Sequence, residues 1–98
     1  MELRMKTKLD KNGIEVFTVE NKQDCIDALN NLKEDTLKNK YLHEVIPQID
    51  DTIKAVQEES YDLVLDIKRN TNYKPLNRIL YIFEKEYLYK IWEEEKIS

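Results

Sequence analysis

Hydrophobic and polar residues along the chain follow several distinct periods. Residues 2–9, "ELRMKTKL", alternate, with Leu3, Met5, Thr7 and Leu9 on one side and Arg4, Lys6 and Lys8 on the other. That is the two-residue period of a half-buried strand. "DKNG" follows, offering Gly13 for a positive φ angle, and "IEVFTVE" is rich in β-branched residues. Together they predict an N-terminal β-hairpin, which must lie on helices or pair with further strands because a lone hairpin is marginal in water.

The period then changes. Asn21 with Asp24 three residues on has the form of an N-cap with an acidic first turn, and Cys25, Ala28, Leu29 and Leu32 share one helical stripe. A short helix over about 22–34 is expected. From Thr36 onward Leu42, Val45, Ile46, Ile49, Ile53, Val56, Leu63, Val64 and Ile67 fall on one apolar arc at helical spacing. Pro47 interrupts it, so the stretch predicts either one long helix kinked near 47 or a new helix starting there. "YDLVLDIK" also alternates like a strand, but its stripe extends the preceding one in phase, which favours helix.

"RNTNYKP" supplies turn-tolerant asparagines and a proline suited to a helix start, and so reads as a connector. The stretch beyond it, "ILYIFEKEYLYKIW" at 79–92, holds ten apolar or aromatic residues among fourteen. As a helix it carries a core stripe of Leu76, Ile79, Leu80, Phe83, Tyr87 and Ile91, and a second stripe of Tyr81, Leu88 and Trp92 on another side. One face of a helical hairpin cannot bury both. The competing form is a second β-hairpin over 79–92, favoured by its aromatic and β-branched residues. Against that form stand the absence of Gly, Asn or Asp at the turn and the Glu86 to Lys90 spacing, which suits a helix. The predicted fold class is therefore α+β: an N-terminal β-hairpin, a short helix, then two long antiparallel helices joined near 69–75.

Composition narrows the setting. Ninety-eight residues fit a single domain of modest stability, for which self-association is a common remedy. With 37% charged residues, one glycine and two prolines, an all-β barrel or sandwich is disfavoured. One cysteine, Cys25, cannot form an internal disulfide, and the opening residues lack the apolar core of a signal peptide, so a cytoplasmic setting is expected. No apolar run is long enough to cross a bilayer. Abundant Lys, Asn, Ile and Tyr, all read from A/T-rich codons, suggest a bacterial or phage source.

Charge is unevenly spread. Residues 23–66 carry four cations against eleven carboxylates, whereas residues 67–78 carry four cations and no carboxylate. Glu44, Asp51, Glu58, Asp62 and Asp66 recur at helical spacing opposite the apolar stripe, either as a solvated face or as a ladder that steers a basic partner. Lys68, Arg69, Tyr73, Lys74 and Arg78 form a basic segment with an interleaved aromatic, a pattern able to hold phosphate and stack a base. Lys68 and Arg69 also suit a helix C-terminus without any ligand.

Catalytic chemistry finds no footing in the sequence. His43 is the only histidine, with no paired His or Cys spacing for a metal, and neither serine lies in a nucleophile elbow. Phosphate-cradling loops need more glycine than Gly13 alone. No enzyme activity and no cofactor are expected. The reading that remains is a non-enzymatic protein-binding module, of the kind of an inhibitor, antitoxin or immunity factor. Tyr81, Leu88, Tyr89 and Trp92 would anchor a protein partner or a second copy in a homodimer, and Glu58, Asp62 and Asp66 would steer it. The alternative is a small nucleic-acid-binding regulator using the segment 68–78.

Overall fold

A computed structural model describes residues 6–97. Leu3, Arg4 and Met5 of the alternating stretch lie outside the described residues. The chain is α+β in the coarse sense: a short antiparallel pair of strands, followed by helices.

Strands β1 (Thr7–Leu9) and β2 (Glu15–Phe17) pair with Thr7 opposite Phe17 and Leu9 opposite Glu15. The turn between them has a local cause. Gly13 donates to the Asp10 carbonyl, the Asp10 carboxylate accepts from the amides of Asn12 and Ile14, and Gly13 takes φ +77°. This is a type I turn closed by a left-handed residue, which glycine enters without steric cost. The expected burial of Leu9 is not met. Leu9 is 70% exposed and Ile14 is exposed beside the turn, because the hairpin's apolar contact with the core is made at its far end, by Phe17 and Val19.

Helix α1 (Lys22–Leu37) begins as its cap residues require: the Asn21 side chain accepts from the Asp24 amide, and the Asp24 carboxylate accepts from the Glu20 amide. A 3₁₀ turn (Lys40–Val45) leads into α2 (Ile46–Gln57), whose second residue is Pro47. The proline starts a helix here rather than kinking one, since its missing amide would have had no partner in the first turn.

The long first helix does not exist as one rod. Helix α2 ends at Gln57 and α3 (Tyr61–Asn70) begins after a three-residue break. Glu59 sits at φ +58°, its amide donates to the Val56 carbonyl, and the Ser60 amide donates to the Ala55 carbonyl. These two nested bonds make a Schellman termination with glutamate where glycine is usual. The phase of the chain resets there. Val64 is fully buried while Leu63, expected on the core stripe, is 49% exposed.

The last segment is one continuous helical rod of three parts: α4 (Lys74–Phe83), a π turn (Glu84–Leu88) and α5 (Tyr89–Ile97). The second-hairpin alternative for 79–92 is thereby overturned. The helix α1 packs on α2 and α4, and α3 packs on the same two, so four helices enclose one apolar cluster. Cys25, Leu29, Ile49, Val56, Val64, Leu80 and Phe83 are at its centre. The described molecule is elongated, 47 × 33 × 26 Å.

Candidate functional site

The surplus of apolar residues at 79–92 is resolved by the π turn. In an unbroken α-helix, Leu88 would point about 140° away from Phe83, five residues earlier. Instead the Tyr89 amide donates to the Glu84 carbonyl, five residues back, so one extra residue is absorbed in that turn. Leu88 is rotated into the core and is fully buried with Phe83. As a docking residue Leu88 is therefore corrected: it is a core side chain. Tyr87 stacks on Phe83 with ring centres 5.2 Å apart, and Tyr61 meets both rings. Burial, with Tyr87 and Glu59 nearby, raises the Tyr61 phenol well above its usual range, so it stays neutral.

The same rephasing leaves other rings outside. Tyr89 is half exposed and lies 5.7 Å, centre to centre, from the single tryptophan, Trp92. Trp92 rests partly on the core and lines a shallow cleft of about 550 Å³ with Tyr61, Leu63, Glu59 and Asp62. The break after α2 and the π turn thus converge: one turns Leu63 outward, the other carries Trp92 across to meet it. Leu63 was missed by sequence reasoning because its spacing fits the core stripe if the helix is taken as continuous. The one available signal was "EES" at 58–60, three poor candidates for a glycine-like helix end.

Tyr81 is 49% exposed but stands apart from this group, eight residues before Tyr89 and so about 12 Å along the rod. Lys68 and Lys85 lie over its ring at 5.3 and 5.7 Å. The carboxylates of the expected ladder are divided by the helix break. Glu44 lies in the 3₁₀ turn, Asp51 on α2, Glu58 at the end of α2, and Asp62 and Asp66 on α3. All five are exposed. Asp62 also stabilises the first turn of α3 through the helix dipole, and Asp66 is paired with Arg69 at 2.7 Å. Of the three carboxylates assigned to steering, Asp62 alone lines the cleft, and Glu59 takes the place expected of Glu58.

The basic segment is dispersed by its own partners. Lys68 donates to Glu84 at 2.8 Å in a largely buried pair, and Arg69 is held by Asp66. The Tyr73 hydroxyl shares a hydrogen bond with Thr36, and its partly buried ring packs against the core. Lys74 and Arg78, one turn apart on α4, stand at a different place: they line a cavity of about 360 Å³ between α4, α1 and Phe17.

Glu86, in the π turn, joins the hairpin to the rod. Its carboxylate accepts from the Thr18 hydroxyl at 2.6 Å and from the Val19 amide at 3.0 Å, and lies 3.3 Å from the Lys8 ammonium. Burial alone would raise its pKa, but the Thr18 and Val19 hydrogen bonds and the Lys8 charge outweigh that, and the net shift is downward. The Cys25 thiol is buried and raised far above its usual range, chiefly by desolvation, so it is not a ready nucleophile. Among the described residues no cluster of three or more His, Cys, Asp or Glu could hold a metal ion, and no helix is long and apolar enough to cross a membrane. Comparison of the chain with protein-family models, with curated proteins and with solved structures finds no match.

Proposed function

We propose that the protein is a non-enzymatic protein-binding module that acts by covering a partner's surface, as an inhibitor, antitoxin or immunity factor does. The supporting observation is that Leu63 of α3 and Trp92 of α5 line one shallow cleft, with the half-exposed Tyr89 ring against Trp92. Aromatic rings that are partly held by the core and partly open lose little rotamer freedom when a partner covers them, which is why such residues dominate interface energetics. Glu59 and Asp62 at the rim give the face a negative border, suited to a partner with cations around an apolar centre. The partner is a foreign protein or a second copy of the chain.

The test compares capture by the wild-type protein with capture by a Leu63→Ser, Tyr89→Ser double variant. Both positions are outside the buried cluster, so the variant should keep its helical signal. Loss of capture by about tenfold or more is expected, since truncating two interface anchors removes at least 1.4 kcal/mol. Undiminished capture by the folded variant would remove this face as the docking surface.

A further inference from the structure

The cavity between α1, α4 and the hairpin is independent of the Leu63–Trp92 face. Its apolar lining is Phe17, Leu32, Pro75 and Ile79, and its volume, about 360 Å³, falls within the range of small-ligand sites. Lys74 and Arg78 stand on the α4 wall. Neither forms an ion pair or a hydrogen bond among the described residues, although the chain as a whole is acidic. On the α1 wall Asp35 is 3.8 Å from Lys38, so its charge is partly answered outside the groove.

We propose that this groove binds a small amphipathic carboxylate, with an aliphatic chain lying on Leu32, Pro75 and Ile79 and its carboxylate held by Lys74 and Arg78. Three features select that occupant. The two unpaired cations one turn apart on α4 can share one carboxylate, and the arginine fork matches its planar geometry. Asp35 across the groove disfavours a doubly charged head group. A peptide would bring several main-chain N–H and C=O groups into an apolar groove where Asn31 is the one neutral side chain with amide donors and acceptors, leaving most of them unpaired.

The test is a titration of the full chain with decanoate, kept below its micelle concentration and read from the methyl resonances of Leu32 and Ile79, with decanol and decyltrimethylammonium as controls. Saturable shifts confined to the groove are expected with decanoate. Arg78→Gln and Lys74→Gln should each weaken binding about fivefold or more, the size expected for a lost charge-assisted hydrogen bond. Both side chains are exposed, so the variants should remain folded, and a helical spectrum equal to wild type checks this. Equal binding of decanol, indifference to both substitutions, shifts that appear equally at Leu63, or no saturable shift would each overturn the proposal. So would shifts at Leu32 and Ile79 that track protein concentration without ligand, which would give the groove to a second copy of the chain.

Discussion

At the scale of single residues, two glutamates do work that their neighbours in sequence do not announce. Glu59 holds the left-handed position that ends α2, where a side chain costs of the order of 1 kcal/mol relative to glycine. Its compensating contacts are weak: Lys22 at 3.9 Å and the Tyr61 hydroxyl at 3.5 Å, both at the surface. Glu59→Gly should therefore stabilise the fold by about 0.5–1 kcal/mol, seen as a higher urea midpoint with an unchanged slope. A lower midpoint would show that those contacts outweigh the backbone strain. Glu86 has a signed pH dependence. Because its folded-state pKa lies below the unfolded value of about 4.3, its contribution is complete above that value and is lost as pH falls through the folded value. The Val19 amide should thus lose exchange protection in that acid window, and Glu86→Gln should abolish the step. A Val19 amide whose protection follows the same acid profile in both proteins would contradict the assignment.

At the scale of elements, what could be read from the sequence was what local chemistry dictates. The Asn21–Asp24 cap, the Gly13 turn and the Pro47 helix start act over three or four residues, and each is where its residue types require. Phase was harder to read. A helical wheel assumes a constant 100° per residue, and this chain departs from it twice, at Glu59 and in the π turn. Both departures are decided by tertiary packing: after the break at Glu59, Val64 stays buried while Leu63 leaves the core stripe, and the π turn brings Leu88 into the core. That accounts for Leu63 going unnoticed and for Leu88 being expected outside. The π turn makes a specific forecast. Deleting Lys85 should convert it to regular α-helix while Phe83 and Leu88 keep their buried faces, changing stability by no more than about 1 kcal/mol. Deleting Tyr81, also exposed but within regular α4, should rotate everything beyond it and cost about 3 kcal/mol or more. Equal losses from the two deletions, measured by urea unfolding, would mean that the extra residue is not absorbed where it is placed here.

At the scale of the whole molecule, the two phase shifts place Leu63 of α3 and Trp92 of α5 on one shallow cleft, so that an acidic chain with a small core still presents an apolar and aromatic face. The four helices suffice to bury the central cluster, while the hairpin is tied on mainly through Glu86 and the last turn of α5 extends past the core. Leu63 and Tyr89 are about half exposed, and the single tryptophan, partly buried, packs against the core beside them. That position makes Trp92 a natural reporter. The decisive measurement is the ¹⁹F spectrum of protein labelled with 5-fluorotryptophan, which gives one resonance, recorded as the captured partner is added or, for self-association, as protein concentration rises. Docking on the α3–α5 face predicts that this resonance shifts or broadens in step with complex formation. A complex that forms fully while the Trp92 resonance stays unchanged would contradict it.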